Sequence, residues 1–206
     1  MIIPDLSKEK SLWTKGFINV VGVDEAGRGP LAGPVTAGAV MIHSEEQIIP
    51  LVRDSKKTTA NQRESVFEEI KEKSTAFGIG IVAAEEIDEI GINKAVWKAM
   101  HQALSNIELN FKFEISYVLV DGINTLVLEK YQSERVKGGD LYHYSISAAS
   151  VLAKVTRDRI MLEESVNYPF YGFDKHVGYG TKSHFEALKE HGPCPLHRKT
   201  FLKNLW

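Results

Sequence analysis

An α/β domain is the fold class this sequence predicts, and three observations carry the prediction. Apolar, β-branched runs alternate with stretches whose apolar residues recur every three or four positions. Two of those runs end in carboxylates, at Asp24-Glu25 and at Asp121, and functional groups in open α/β sheets gather outside the carboxyl ends of strands. No repeat, low-complexity tract or linker interrupts the 206 residues, so residues 1–206 are expected to form one domain, with about 181–206 as a C-terminal helix and tail.

Residues 17–23 form the first short apolar run, and after a Gly/Pro-rich turn residues 35–42 form a second, so two strands joined by a turn are expected. Residues 59–73 have helix-forming composition, with Val66, Phe67 and Ile70 on one face and charges on the other. Residues 75–83, rich in Ile, Val and Gly, read as a third strand, followed by a short helical or turning segment at residues 85–88 that Gly91 interrupts. Asn93 is a suitable cap for a helix whose apolar stripe is Val96, Met100, Ala103 and Ile107. Residues 115–120 are a further strand, ending in Asp121-Gly122. Buried parallel strands read as nearly continuous apolar runs, so Asp24 and Asp121 are placed to meet. Ser147 opens a long helix through Ala148, Val151, Leu152, Val155 and Leu162, and a last helix covers residues 182–190. Gly192-Pro193-Cys194-Pro195 ends it, leaving a tail with Leu196, Phe201, Leu205 and Trp206.

At 43% hydrophobic and 25% charged residues the chain is large enough for a substantial core. The lone Cys194 excludes an internal disulfide and fits a reducing cytoplasm. No signal-peptide core or membrane span is present, so neither secretion nor a membrane is expected. The net charge of −2 argues against a generally basic nucleic-acid binder. Basic residues do concentrate locally, at Lys56-Lys57 and through Lys182, Lys189, Arg198, Lys199 and Lys203, where a solvated surface is the plain alternative.

Asp24, Glu25, Asp121 and Asp140 are the candidate chemical groups. Any one of them could be a turn-former or helix cap, but four converging carboxylates would repel and raise one another's pKa values unless divalent cations were present, and Mg²⁺ suits an oxygen-only site. Adjacent Asp24 and Glu25 would point to opposite faces of an ideal strand, so a common site requires the strand to bend or end there. Arg28, between two glycines, can approach a phosphate or base without obstruction from its neighbours. Gly27-Arg28-Gly29-Pro30-Leu31-Ala32 also fits a loose dinucleotide-binding pattern, yet Pro34 and the β-branched stretch beyond it suggest a strand where that pattern needs a helix. Asp158, between Arg157 and Arg159, reads as an ion-pair partner rather than a ligand. His143, His176, His184, His191 and His197 lack zinc spacing, and no structural zinc is expected. Tyr179, flanked by Gly178 and Gly180, suits a ring laid against a sugar or base, or a core tyrosine like Tyr168 and Tyr171.

Val23-Asp24-Glu25-Ala26-Gly27-Arg28-Gly29-Pro30, Asp54-Ser55-Lys56-Lys57, Val120-Asp121-Gly122, Gly139-Asp140, the run from Ser147 to Asp158 and Gly178-Tyr179-Gly180-Thr181, taken in order, resemble ribonuclease HII over nearly the whole chain. Ribonuclease HIII is the related possibility, against which stand Arg28 and the absence of a long extra N-terminal domain. The resemblance implies a ribonuclease H-like mixed sheet flanked by helices, with a helical C-terminal extension. It further implies cleavage of RNA in RNA/DNA hybrids and 5′ of single ribonucleotides in duplex DNA, by a monomeric enzyme using two Mg²⁺ or Mn²⁺ ions. By that resemblance Asp24, Glu25, Asp121 and Asp140 are catalytic and hold metal. Gly27, Arg28 and Gly29 read the 2′-hydroxyl at the RNA-to-DNA junction, and Tyr179 stacks there. Lys56 and Lys57 match a phosphate-contacting motif, although the leucine usual after it is Thr58 here. A non-catalytic nucleic-acid binder is the alternative from another class.

Overall fold

In the computed structural model of the chain, residues 3–52, 59–122, 128 and 130–203 are described. The elements run α1 (Ser7–Trp13), β1 (Val20–Ala26), β2 (Val35–Met41), α2 (Ala60–Lys73), β3 (Ala76–Val82), α3 (Ala84–Ile90), α4 (Ile92–Phe111) and β4 (Tyr117–Asp121). They continue with β5 (Ser133–Val136), α5 (Gly139–Tyr142), α6 (Tyr144–Asn167), α7 (Phe173–His176), α8 (Lys182–His191) and α9 (Lys199–Leu202). The strands form one mixed sheet in the order β3-β2-β1-β4-β5. β2 is antiparallel to β1 and β3, whereas β1, β4 and β5 run parallel.

Helices cover both faces, and glycines set how closely they lie. A Cβ on Gly22 of β1 would overlap the Ser145 and Ile146 backbone of α6, and one on Gly38 of β2 would overlap the Ala149 carbonyl oxygen. On the opposite face, Gly78 and Gly80 of β3 leave room for the Ala103 and Ala99 carbonyls of α4. Helix α4 presents Ala95, Val96, Ala99, Met100, Ala103, Leu104 and Ile107 as its buried stripe, which forms one core with Val21, Val23, Met41 and Val118. Each large apolar side chain there contributes about 1.5–3 kcal/mol by leaving water. The first half of α6 is buried on all sides, which its Ser and Ala content permits. It lacks a cap of its own; the buried Glu9 of α1 supplies one, its Oε1 accepting from Ser145 N (3.1 Å) and Oγ (2.5 Å).

A smaller core gathers the C-terminal elements around Met161, Phe173, Leu188 and Leu202, and it includes Ala32 from the loop between β1 and β2. That loop leads into an antiparallel strand, not a helix, so the dinucleotide-binding pattern at Gly27 lacks its required context.

Three expected boundaries need correction. The first strand occupies Val20–Ala26 rather than residues 17–23, because its pairing with β2 continues to Ala26↔Thr36. Helix α6 starts at Tyr144, ahead of Ser147, where α1 caps it. Helix α4 is preceded by Gly91 at φ +80°, and Asn93 lies inside its first turn rather than capping it.

Candidate metal and nucleic-acid site

The parallel register sets Val23 beside Val120, which makes Asp24 and Asp121 neighbours on the same face at the carboxyl ends of β1 and β4. Asp140 arrives from α5, which is fastened to β4 by a 2.6 Å hydrogen bond from Gly139 N to Asp121 Oδ1. Asp24, Asp121 and Asp140 each offer an oxygen within 4.8 Å of the others. Glu25 lies outside that triplet. Because β1 continues past it, alternation turns Glu25 to the α4 side, where it lines a small cavity with Arg28, Val96, Trp97, Met100 and Asp121. Asp24 turns to the α6 side, where Ser150 hydrogen-bonds it.

Electrostatics set this group apart. Burial, then the charges of Glu25 and Asp121, push Asp24 well above the usual carboxylate range, against the Ser150 hydrogen bond. Burial also raises Glu25, with Arg28 opposing. Asp121 is raised by burial and then by Asp140, against backbone N–H groups including that of Gly139. Three close oxygen donors, two of them held above their usual pKa and one touching the other's hydrogen-bonding backbone, suit a hard divalent cation.

The glycine loop adjoins the acids. Arg28 Nη1 lies 3.5 Å from Glu25 Oε1, and its Nη2 donates to Asn93 Oδ1 at 2.8 Å. Gly27 is buried at φ +96° and Gly29 is exposed, and a Cβ on Gly29 would come within 3.9 Å of the Tyr179 ring. Tyr179 is 46% exposed, so its ring is on the surface beside the loop rather than in the core. Lys56 and Lys57 fall outside the described residues, as do Asp54, Ser55 and Thr58. Asp158 is an ion-pair partner as expected, but of Lys154 at 2.6 Å and Arg63 at 3.8 Å; the flanking Arg157 and Arg159 bond to carbonyls and to Glu64.

Several supporting residues have roles other than those their sequence setting suggests. Asn93, expected as a cap, holds Arg28 instead. Arg157 and Arg198, 1% and 0% exposed, donate to carbonyls of the glycine loop. His176, His184 and His197 form a buried cluster behind Tyr179. Cys194 N–H can only donate, so His197 Nδ1 accepts at 3.0 Å; its Nε2–H then donates to His184 Nε2 at 2.9 Å. His184 Nδ1–H in turn donates to Tyr179 O at 2.9 Å. Burial also keeps the Cys194 thiol protonated by raising its pKa.

A mixed sheet covered by helices, with acids at the ends of two central parallel strands, places the chain among the ribonuclease H-like enzymes. The crystal structure of ribonuclease H2 from Pyrococcus horikoshii OT3 has this fold, with a TM-score of 0.71 and 28% identity over 90% of this chain and 100% of that one. Sequence narrows the class: the family model described as Ribonuclease HII matches residues 21–206, and the chain belongs to that family. A protein named Ribonuclease HII from Caldicellulosiruptor bescii is 50% identical over 197 residues, covering 96% of this chain and 93% of its own. Another from Caldanaerobacter subterraneus subsp. tengcongensis is 49% identical over 197 residues, covering 96% and 79%. The chain is therefore a hydrolase of the endoribonuclease class, and its family membership implies action on RNA/DNA hybrids. No helix among the described residues is long and apolar enough to cross a membrane.

Proposed function

We propose that this chain hydrolyses the RNA strand of RNA/DNA hybrids and also incises duplex DNA 5′ of a single embedded ribonucleotide, leaving 5′-phosphate and 3′-hydroxyl ends. The observation that carries the reading is the Asp24, Asp121 and Asp140 triplet within 4.8 Å, next to a loop and a tyrosine suited to a sugar. Asp24, Glu25, Asp121 and Asp140 would hold two Mg²⁺ or Mn²⁺ ions. Bound cations would supply an activated water and stabilise the leaving 3′-oxygen. Gly27, Arg28 and Gly29 would receive the 2′-hydroxyl, the group by which RNA differs from DNA. Arg28, steadied by Glu25 and Asn93, has its guanidinium where a phosphate or sugar can reach it. The half-exposed Tyr179 ring would stack at the junction, and Lys56 and Lys57 would contact phosphates without reading sequence. We assign the whole of residues 1–206 to one catalytic domain acting as a monomer, in the cytoplasm, in removing ribonucleotides from DNA.

The test is a labelled DNA duplex containing one ribonucleotide, incubated with Mg²⁺ or Mn²⁺ and either the unmodified chain or Asp121→Asn. Metal-dependent incision that the variant loses is expected, with product ends identified by kinase and phosphatase treatment. Absence of metal-dependent cutting, or full activity in Asp121→Asn, would leave a non-catalytic nucleic-acid binder as the better reading. Arg28→Ala is expected to lose part of the preference for the ribonucleotide; unchanged selectivity would remove the Arg28 side chain from junction reading and leave that task to the backbone of the loop.

A further inference from the structure

Arg157 and Arg198 are the two most voluminous fully buried side chains among the described residues, and both are cations. Their hydrogen-bond acceptors are backbone carbonyls. Arg198 Nε donates to Gly33 O at 3.0 Å and Nη1 to Arg28 O at 3.1 Å, while Nη2 donates to Gly27 O at 2.6 Å and Pro34 O at 3.1 Å. Arg157 Nε donates to Pro34 O, Nη1 to Val177 O and Nη2 to Ala32 O, each at 2.9 Å. Burial and the neighbouring Arg157 bring Arg198 down to about 9, so it still carries its charge at neutral pH. Burying two cations against neutral partners is costly, and well-packed apolar residues would support a loop at lower cost. What apolar residues cannot do is fix the direction of peptide groups.

That direction matters at two adjacent peptides. In a planar trans peptide the N–H points opposite to the C=O. Arg198 draws the Gly27 carbonyl inward, so Arg28 N–H faces outward; it draws the Arg28 carbonyl inward, so Gly29 N–H faces outward too. Neither N–H has a backbone acceptor among the described residues. A guanidinium on each carbonyl also polarises its peptide, which strengthens the N–H as a donor. Arg157 extends the same grip to the other side of the site. Its bond to Val177 O, and the bonds from Leu31 N and Ala32 N to Gly178 O, tie the residues before Tyr179 to the loop. The Arg157 guanidinium lies 5.9 Å from the centre of the Tyr179 ring.

We propose that Arg198, backed by Arg157, is a positioning residue that aims the Arg28 and Gly29 N–H groups outward as a donor pair for the 2′-oxygen of the substrate. The proposal rests on the reading of the glycine loop given above. It assigns a task to the segment after α8, which reaches back 170 residues to deliver Arg198 beneath the loop.

The experiment measures equilibrium binding in the Asp121→Asn background with Mg²⁺, so that cutting does not intervene. Two duplexes are compared, identical except for one ribonucleotide, with Arg198 intact and with Arg198→Lys, which keeps the charge but not the fan of donors. The preference for the ribonucleotide duplex is expected to fall about tenfold in Arg198→Lys, while binding of the all-DNA duplex, set by phosphate contacts, stays within about twofold. A merely structural role would weaken both duplexes alike, and that outcome overturns the proposal, as does an unchanged preference. Lack of any preference with Arg198 intact would instead overturn the reading of the loop itself. Should Arg198→Lys not fold, amide exchange on the protein with Arg198 intact decides the matter. Arg28 and Gly29 amides are expected to exchange freely and to slow on adding the ribonucleotide duplex but not the all-DNA duplex; protection of both in the free protein overturns the proposal.

Discussion

Acidification should unlock the C-terminal core through His197. The residue is 2% exposed, and burial, with the His184 ring beside it, lowers its pKa from 6.5 to about 4. In the neutral tautomer both ring nitrogens are satisfied, Nδ1 by Cys194 N–H and Nε2–H by His184. An added proton on Nδ1 would give up the 3.0 Å bond from Cys194 N–H and turn to Cys194 O at 3.3 Å or Sγ at 3.2 Å. The unfolded chain binds that proton more readily, so the contribution of His197 is fully present above pH 6.5 and is lost as pH falls toward 4. Linkage between those two values gives a loss of about 2 kcal/mol by pH 5 and about 3 kcal/mol by pH 4. Asp24, Glu25 and Asp121 have raised pKa values and act with the opposite sign, gaining stability on acidification, so the raw melt mixes both effects. The informative quantity is the stability difference between the chain and His197→Gln, measured by urea unfolding from pH 7.5 to pH 5. That difference should shrink by about 2 kcal/mol. A difference that stays flat across the range would refute the neutral-imidazole account, and with it the tautomer chain that ends on Tyr179 O.

Metal binding should carry its own pH signature. Because the folded state holds Asp24 and Asp121 above their usual pKa, ligation must displace protons, and the Mg²⁺-induced rise in Tm should be larger at pH 8 than at pH 5.5 and absent in Asp121→Asn. Equal shifts at both pH values would count against these carboxylates as the ligands. Gly38→Ala places a methyl on the Ala149 carbonyl oxygen, directly across the ladder from Asp24, and should cost about 2–3 kcal/mol in urea unfolding; a loss under about 0.5 kcal/mol would mean that α6 does not seat there as described. Tyr179→Ala should weaken binding of the ribonucleotide duplex by about 1–3 kcal/mol, the range for base–aromatic stacking, while Tyr179→Phe retains most of it. Equal losses in the two variants would point to the hydroxyl rather than the ring.

What the sequence revealed follows from the range over which each signal acts. Apolar runs and three-four spacing are local, and they located β2, β3, β4, α2 and α8 to within one or two residues. The short edge strand β5, Ser133–Val136, is half-buried throughout and contains Ser, Glu and Arg, so no alternation marks it. Single-turn α5, which carries Asp140, follows Gly138 at φ +66° and is defined by that turn rather than by periodicity. The convergence of Asp24 and Asp121 was legible because both end buried parallel strands. The departure of Glu25 from the triplet was legible only as one branch of a condition, since it depends on β1 remaining regular through Ala26 rather than bending at Glu25. Arg198 read as one of a run of surface cations and Arg157 as an ion-pair partner of Asp158, because nothing in their neighbours announces that they reach loop carbonyls 123–125 and 164–171 residues away.

Those two arginines also bear on why the acids can remain available to a cation. The loop from Gly27 to Pro34 follows directly on Asp24 and Glu25, and its carbonyls take up the donors of two buried guanidinia. A guanidinium free to swing would be drawn to Asp24 or Asp121 and form a bidentate pair, lowering the pKa of the acid and competing with any metal. Here the donors of Arg157 and Arg198 are committed to carbonyls of the loop and of Val177, and Arg28 is directed to Glu25 and Asn93. The peptide groups of the loop thus occupy the donors of both buried arginines and are polarised by them. Replacing a carbonyl-bound arginine with a shorter cation should therefore disturb metal affinity less than it disturbs recognition of the sugar, because the acids keep their seats on β1, β4 and α5 while the loop loses its orientation.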